Sequence, residues 1–469
     1  MADEKKGLVM KRPYYFILFL IISCSSDVEV KIQTSDLGLN STPLTIQGGL
    51  NGVEKVVTLE YTGVNSDKVT ACEVSNLSNL TETTTCSCDT EGLCSVGVTP
   101  VSSFGGVATF EYKVIAGEVV SNKAKTNINV KLIEYFAGAI STDNFLGLDV
   151  HWNSRTVLLT SGSGTNCVHA VDITSLSAPN LYNTLGTATS PATSGKNCRA
   201  VKITEDGTKF VLPTHDKHTE VWTFGGDSKD PSGWSELFDL STSTKQPKRL
   251  SQFVDNGATY DFVISALGGL LKASLDKSTN AISITNNGTA AYDMTHSLTY
   301  QDAVYVNEDL IVATEAGNGK GVKVFASDSS LIKIIDLNNG SDYMWSSAVS
   351  GDQTKIAVGG GRLALLSYDE LQSDADKVQL EFEVDISRSM RHMTFFNYQS
   401  SSYLAAAISD GSVSVYNVDD ISNPFLVKNH KISAFDGEAY DLKVIESDEL
   451  IIVAGTKGKF AILSIPGFF

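Results

Sequence analysis

The chain has 469 residues, with 36 Lys and Arg against 54 Asp and Glu, a formal charge of −18. Such a length accommodates two or three domains. The acidity excludes a nucleic-acid binder, which needs surplus cations to displace phosphate counterions; it gives no attraction to an anionic membrane surface and favours a soluble monomer.

In chain order, the first feature is Lys11-Arg12 followed by an apolar run over 14–22 and a small residue, Ser23. This arrangement predicts a secretory signal peptide at 1–23. The run is too short to span a bilayer, which takes roughly 20 apolar residues. Its end, Ile21-Ile22-Ser23-Cys24, resembles a bacterial lipobox. The resemblance implies lipidation of Cys24, a mature chain that starts there, and a membrane contact made through the lipid alone. Met10 directly precedes Lys11-Arg12 and is the expected start of translation. Ser25 after the lipidated Cys implies sorting to the bacterial outer membrane, on its periplasmic or its surface face. Loss of the signal removes four bases and two acids, taking the charge from −18 to −20.

Six of the seven cysteines remain once Cys24 is set aside, an even number that argues for disulfides in an oxidising compartment. Cys72, Cys86, Cys88 and Cys94 lie close together and allow three pairings, whereas Cys167 and Cys198 are expected to pair with each other. Zinc is disfavoured, because the spacing lacks the C-x₂₋₄-C pairs of structural sites and no His is near. No metal and no other cofactor is expected.

Residues 24–35 read as a tether. From 36 to 132 the chain is rich in Thr, Val, Ser and Asn, and short alternating runs, such as Ala108-Thr109-Phe110-Glu111-Tyr112-Lys113-Val114, are spaced by turn signals. That pattern predicts a β-sandwich. The segment 119–128, Val119-Val120-Ser121-Asn122-Lys123-Ala124-Lys125-Thr126-Asn127-Ile128, resembles the last strands of bacterial cadherin- or immunoglobulin-like modules. The resemblance implies a spacer or adhesive unit. The D-x-D-x-D-G calcium loop is lacking, so calcium dependence is not implied.

From 133 to 469 the chain repeats an apolar strand, a tight turn and an alternating strand. The alternating strands are His169–Ile173, Glu220–Thr223, Leu270–Ala273, Val322–Phe325, Leu363–Leu366, Val413–Tyr416 and Phe460–Leu463, spaced by roughly 40 to 50 residues. Seven copies of this length predict an all-β, seven-bladed β-propeller. The last copy stops after its third strand, so residues 134–140 are expected to supply its outer strand and close the ring. The copies at 170–174 and 415–427 resemble the LVIVD propeller repeat, and Glu205-Asp206-Gly207-Thr208-Lys209-Phe210 is similar to surface-layer propeller repeats. Both resemblances imply an extracytoplasmic protein, and neither implies a reaction. No Trp-Asp dipeptide occurs, which argues against WD40 repeats.

Neither a G-x-S-x-G elbow, an H-E-x-x-H motif nor a P-loop is present. His215-Asp216-Lys217-His218 is the densest titratable cluster and sits in a turn, where it reads as a solvated turn rather than a metal site. Aligning the repeats places Arg199, Arg249 and Arg391 at the start of innermost strands, with Leu148, Asp302, Ser346 and Tyr440 at the corresponding places elsewhere. Three guanidiniums at one channel mouth would take a carboxylate or phosphate. Alternatively, each Arg pairs with an acid such as Asp302 or Asp441. Among Trp222, Trp234, Tyr343 and Trp345, Trp234 is the candidate exposed contact, because it lies in the longest insertion. These features favour a binding module for a protein or glycan partner, with no nucleic acid. The alternatives are a propeller enzyme of lactonase, lyase or quinoprotein type and a periplasmic assembly scaffold.

Overall fold

The computed structural model describes residues 39–469 apart from 51–53, 64–67, 102–103, 163–166, 186–196, 215–216, 242–245, 268, 285–298, 308–309, 317–320, 327–330, 336, 338–342, 373–381 and 387. The signal segment, Cys24 and the tether lie outside the described residues.

Between 39 and 131 two sheets enclose one core. One sheet runs in the order Leu44–Leu50, Ala124–Lys131, Gly106–Ala116, Ala71–Ser78, and the other in the order Lys55–Thr58, Cys94–Pro100, Leu80–Cys88. Alternation decides which side chains go inward. Along Gly106–Ala116, Ala108, Phe110, Tyr112, Val114 and Ala116 are buried while the residues between them face out. The Tyr112 hydroxyl is held at depth, 2.6 Å from the carbonyls of both Thr42 and Glu60. Of the three possible pairings among the clustered cysteines, the chain adopts Cys72–Cys86 and Cys88–Cys94. The first joins the two sheets, and the second links directly paired residues of adjacent strands.

From 134 onward the described residues form successive antiparallel sheets. The first comprises Phe145–His151, Thr156–Ser161, Val168–Asp172 and Asn180–Leu185; the second Lys202–Ile203, Lys209–Thr214, His218–Thr223 and Ser235–Ser241. The third has an inner strand in two pieces, Gln246–Leu250 and Val254–Asp255, then Thr259–Leu267, Gly269–Asp276 and Ile282–Ile284. The fourth comprises Thr299–Tyr305, Leu310–Ala316, Val322–Ala326 and Leu331–Ile335, and a single pair, Leu267 with Thr299, joins it to the third. The fifth is Met344–Val349, Lys355–Gly360, Arg362–Ser367 and Phe382–Asp385, and the sixth Met390–Tyr398, Ser401–Ile408, Ser412–Asn417 and Phe425–Lys431. The seventh is Ala439–Ile445, Leu450–Gly455 and Lys459–Ser464, and its outer strand is Glu134–Ala139, antiparallel to 459–463. The edge strand expected from the repeat register thus pairs where the sequence placed it.

Burial explains the repeat. Second strands such as Thr156–Ser161 and Leu450–Gly455 are buried at every residue, because both faces of each sheet are covered by neighbours. Outer strands such as Phe425–Lys431 are mostly exposed. An apolar core lies between every successive pair of sheets, and one of these cores joins Leu450, Ile452 and Phe460 of the seventh sheet to Phe145, Val157 and Val171 of the first. The succession therefore returns on itself. Tight turns between strands are set by an Asp whose carboxylate accepts the backbone N–H two residues on, as at Asp172, Asp206, Asp276, Asp410 and Asp420. Gly207 and Gly411 follow two of them at φ +67° and +84°, a region open to Gly at no steric cost. Cys167–Cys198 ties the first sheet to the chain entering the second.

Candidate functional site

One feature of the inner strands sets the site. Six of them carry a one-residue bulge, between Phe145 and Gly147, Pro247 and Arg249, Tyr300 and Asp302, Met344 and Ser346, Met390 and His392, and Ala439 and Asp441. In the second sheet Arg199 follows the Cys198–Thr214 bridge in the same way, and one extra residue is taken up before Lys202 pairs with Val211. A bulge turns the local side-chain direction and leaves one residue unpaired. The bulged residues are Leu146, Arg199, Lys248, Gln301, Trp345, Arg391 and Tyr440. All but Arg391 line one small cavity together with Arg249, and Arg391 lies with its guanidinium 4.2 Å from the Trp345 ring centre.

This register corrects the alignment read from the sequence. Arg199 and Arg391 are equivalent, but Arg249 lies one residue deeper, level with Asp302, Ser346, His392 and Asp441, while Leu148 lies deeper still. The three arginines also differ in what holds them. The Arg391 Nη2 donates to Glu438 Oε1 at 2.7 Å. The Arg249 Nη2 donates to the carbonyls of Arg391 at 3.1 Å and Tyr440 at 3.3 Å, and its Nη1 lies 3.7 Å from Asp441. Arg199 has no carboxylate partner among the described residues, and its buried Nε lacks any hydrogen-bond partner there. Beside it, Lys248 also lacks a carboxylate partner among the described residues. Burial, and then the neighbouring Arg199 charge, hold the Lys248 amine below its ordinary pKa.

One residue deeper, the polar side chains bond the next sheet. Asp302 accepts the Ser347 N–H at 3.0 Å, Ser346 accepts the Met393 N–H at 3.0 Å, and Asp441 accepts the Leu148 N–H at 2.9 Å. His392 Nδ1 lies 3.1 Å from the Leu442 carbonyl and 2.6 Å from Asp441 Oδ1. The fourth to seventh sheets are thus stitched in series, and the seventh is stitched to the first. Burial alone would raise the Asp441 carboxyl, but His392, Arg249 and the backbone N–H of Leu148 outweigh it and hold the group far below the ordinary range. Deeper again, Asp149 accepts the Ile203 N–H at 2.8 Å and pairs with Lys443 at 3.0 Å. Lys202 stands beside this pair, its pKa depressed first by burial and then by Lys443. Lys202, Arg249, Asp302, His392, Asp441 and Lys443 line a channel cavity of about 230 Å³, and a larger one of about 850 Å³ opens at the other mouth, with Phe253, Tyr305, Phe395, Asn397, Asp352 and Glu446 in its walls.

Trp234 is not an exposed contact. It is 6% exposed, packs edge-on against Phe210 and Phe224, and donates its indole N–H to the Asp227 carbonyl at 3.0 Å. Asp230 caps the 3₁₀ turn Pro231–Gly233 through the Ser232 N–H and folds the insertion back onto the second sheet. Trp222 is buried within its strand, with its indole N–H donating to Glu220 at 2.9 Å. His215 and Asp216 lie outside the described residues, and His218 pairs with Asp239 at 2.8 Å. The three sulfurs of Cys72, Cys88 and Cys94 that lie within 4.8 Å of one another are all engaged in disulfides. Lys248 escaped the sequence reading because an alignment without bulges places Arg249, not Lys248, at the mouth, whereas Trp345 was named there only as a possible contact aromatic.

No protein-family model and no curated protein matches the chain. Solved structures do resemble it. The structure of the Dos1 propeller matches with a TM-score of 0.50 and 10% identity, covering 71% of this chain and 95% of that one. Sqt1 of Saccharomyces cerevisiae matches at 0.50 and 13% identity, over 71% and 99%. A chain in the mitotic checkpoint complex matches at 0.53 and 12% identity, over 71% and 92%. At these identities the likeness concerns fold alone, and that fold is a β-propeller.

Proposed function

We propose that this chain is a membrane-anchored extracytoplasmic binding module. A lipid on Cys24 tethers it, an immunoglobulin-like sandwich at 36–132 acts as spacer, and a seven-bladed propeller at 133–469 presents a rigid face to a protein partner. The parallel pairing of Leu44–Leu50 with Ala124–Lys131 in an otherwise antiparallel sheet supports the immunoglobulin-like reading. The succession of seven sheets, with an apolar core at each junction, supports seven blades.

The observation that carries a binding role is the use made of the channel's acid–base groups. Asp302, His392 and Asp441 are committed to the backbone of the next sheet, so they serve the ring's rigidity. A preorganised ring loses little ordering entropy when it binds. Function belongs to sites rather than folds, so the test addresses location and partner contact. Protease is applied to intact and to lysed bacterial cells expressing the full chain, with Cys24→Ala as the anchoring control. Digestion on intact cells supports a surface-exposed propeller. Protection until the outer membrane is broken moves the module to the periplasm, where it serves envelope assembly. If the Cys24→Ala form stays with the membrane, the lipid anchor is wrong.

A further inference from the structure

We infer that the bulge-side mouth of the channel captures a single carboxylate from a partner polypeptide, an inference that rests on the binding-module reading. Four cations, Arg199, Lys248, Arg249 and Arg391, meet at this mouth. Two of them are already used. Arg391 is fixed by Glu438 and the Trp345 face, and Arg249 is fixed by two carbonyls and Asp441. Arg199 and Lys248 are drawn together with no acid between them among the described residues; the Nε of Arg199, like that of Arg391, is buried without a partner there, but Arg199 has no carboxylate on its other nitrogens. Like charges held side by side in a part-buried place are costly unless an anion joins them. The Lys248 pKa is lowered first by burial and then by the Arg199 charge, in line with that cost.

Size and charge narrow the class of anion. The cavity at the mouth is about 10 Å³, room for roughly one water-sized group. One oxygen of a carboxylate fills such a space, between the planar Arg199 fork and the Lys248 point charge, while the rest of the group stays at the entrance. A polyanion is repelled by a chain of net charge −18. An Asp or Glu side chain, or a C-terminal carboxylate, on an otherwise uncharged segment suits both limits.

The test uses the full chain and two probes, acetyl-Gly-Asp-Gly-amide and acetyl-Gly-Asn-Gly-amide, with tryptophan fluorescence as the readout because Trp345 lines the mouth. Saturable binding of the Asp peptide alone is expected. Arg199→Gln and Lys248→Gln should each weaken it tenfold or more, as loss of a hydrogen bond to a charged group costs about 1.5–3 kcal/mol. Should a Gln variant melt early, Arg199→Lys keeps the charge and removes the fork, and it should still weaken binding several-fold. Equal response to both peptides, unchanged affinity in the double variant, or tighter binding of inorganic sulfate overturns the carboxylate site. Photo-cross-linking in cells separates the two readings. A partner cross-linked equally to wild type and double variant, without Asp-over-Asn discrimination, rejects the site and keeps the module. Discrimination without any cross-linked partner rejects the module and keeps the site.

Discussion

Asp441→Asn should unfold the propeller more easily than any surface substitution, and the size of the loss follows from what its carboxylate holds. One oxygen accepts from Leu148 N at 2.9 Å, across the junction between the last sheet and the first. The other accepts from Leu442 N at 2.8 Å, lies 2.6 Å from His392 Nδ1, and faces Arg249 at 3.7 Å. An Asn can present one carbonyl oxygen, so its amide N–H must meet another donor, which leaves a buried group unsatisfied at about 1–3 kcal/mol. The part-buried Arg249 also loses its counter-charge, and breaking such a pair costs up to about 3–5 kcal/mol when it is fully buried. The two contributions overlap, and Arg249 keeps its two carbonyls, so we expect a net loss of about 3 kcal/mol. In a domain above 250 residues this lowers the melting temperature by roughly 6 °C. The assay is urea and thermal unfolding of the full chain followed by tryptophan fluorescence, since all four tryptophans, at 152, 222, 234 and 345, lie in the propeller. The pH dependence carries a definite sign. Asp441 titrates below its unfolded value, so its contribution is complete above the ordinary carboxylate range and fades as pH falls through the folded value. The gap between wild type and variant should therefore be flat from about pH 5 upward and narrow below about pH 4. A loss under about 1 kcal/mol, or a gap indifferent to acid, would refute the stitched-ring account. Asp302→Asn, whose carboxylate has no cation within salt-bridge distance among the described residues, should cost less.

Trp234→Ala should destabilise the second sheet by about 3–5 kcal/mol, because it empties an aromatic core built on Phe210 and Phe224; calorimetry that shows no loss would restore the exposed-anchor reading. Replacing Cys167 and Cys198 together by Ser should cost roughly 3–4 kcal/mol for a loop of 31 residues, read as a lower urea midpoint under oxidising conditions. Glu134→Gln should loosen the closing strand by about 1–2 kcal/mol, since the carboxylate receives His430 Nε2 at 2.7 Å and the Ser433 N–H at 2.8 Å. Burial alone would raise the Glu134 pKa, and these bonds bring it below the ordinary value, so the effect is present above the ordinary Glu range and disappears as pH falls below it. Hydrogen exchange of 134–139 against pH reads this directly.

The sequence by itself determined what depends on local chemistry. Alternation along 413–416 and 460–463 and the continuous apolar runs 404–408 and 450–453 predicted strands, because burial on a face is written as residue type at a period of two; that the apolar strands are covered on both faces came from the fold. Asp206-Gly207 and Asp410-Gly411 predicted tight turns, since a short carboxylate and a residue free to adopt positive φ suffice to make them. The outer strand supplied by 134–139 was legible because the last repeat ends one strand short. Tertiary structure alone decided whatever depends on an inserted residue or on distance across the ring. A bulge has no residue-type signature, so a gapless alignment set Arg249 level with Arg199 and hid Lys248. Trp234 lies in a loop that reads as solvated, and only the fold-back at Asp230 places it on Phe210. The choice among cysteine pairings depended on which strands of the two N-terminal sheets face each other. Whether each channel-mouth cation found an acid was settled by side chains far apart in the chain, as with Arg249 and Asp441 or Arg391 and Glu438, and no local pattern encodes such a meeting.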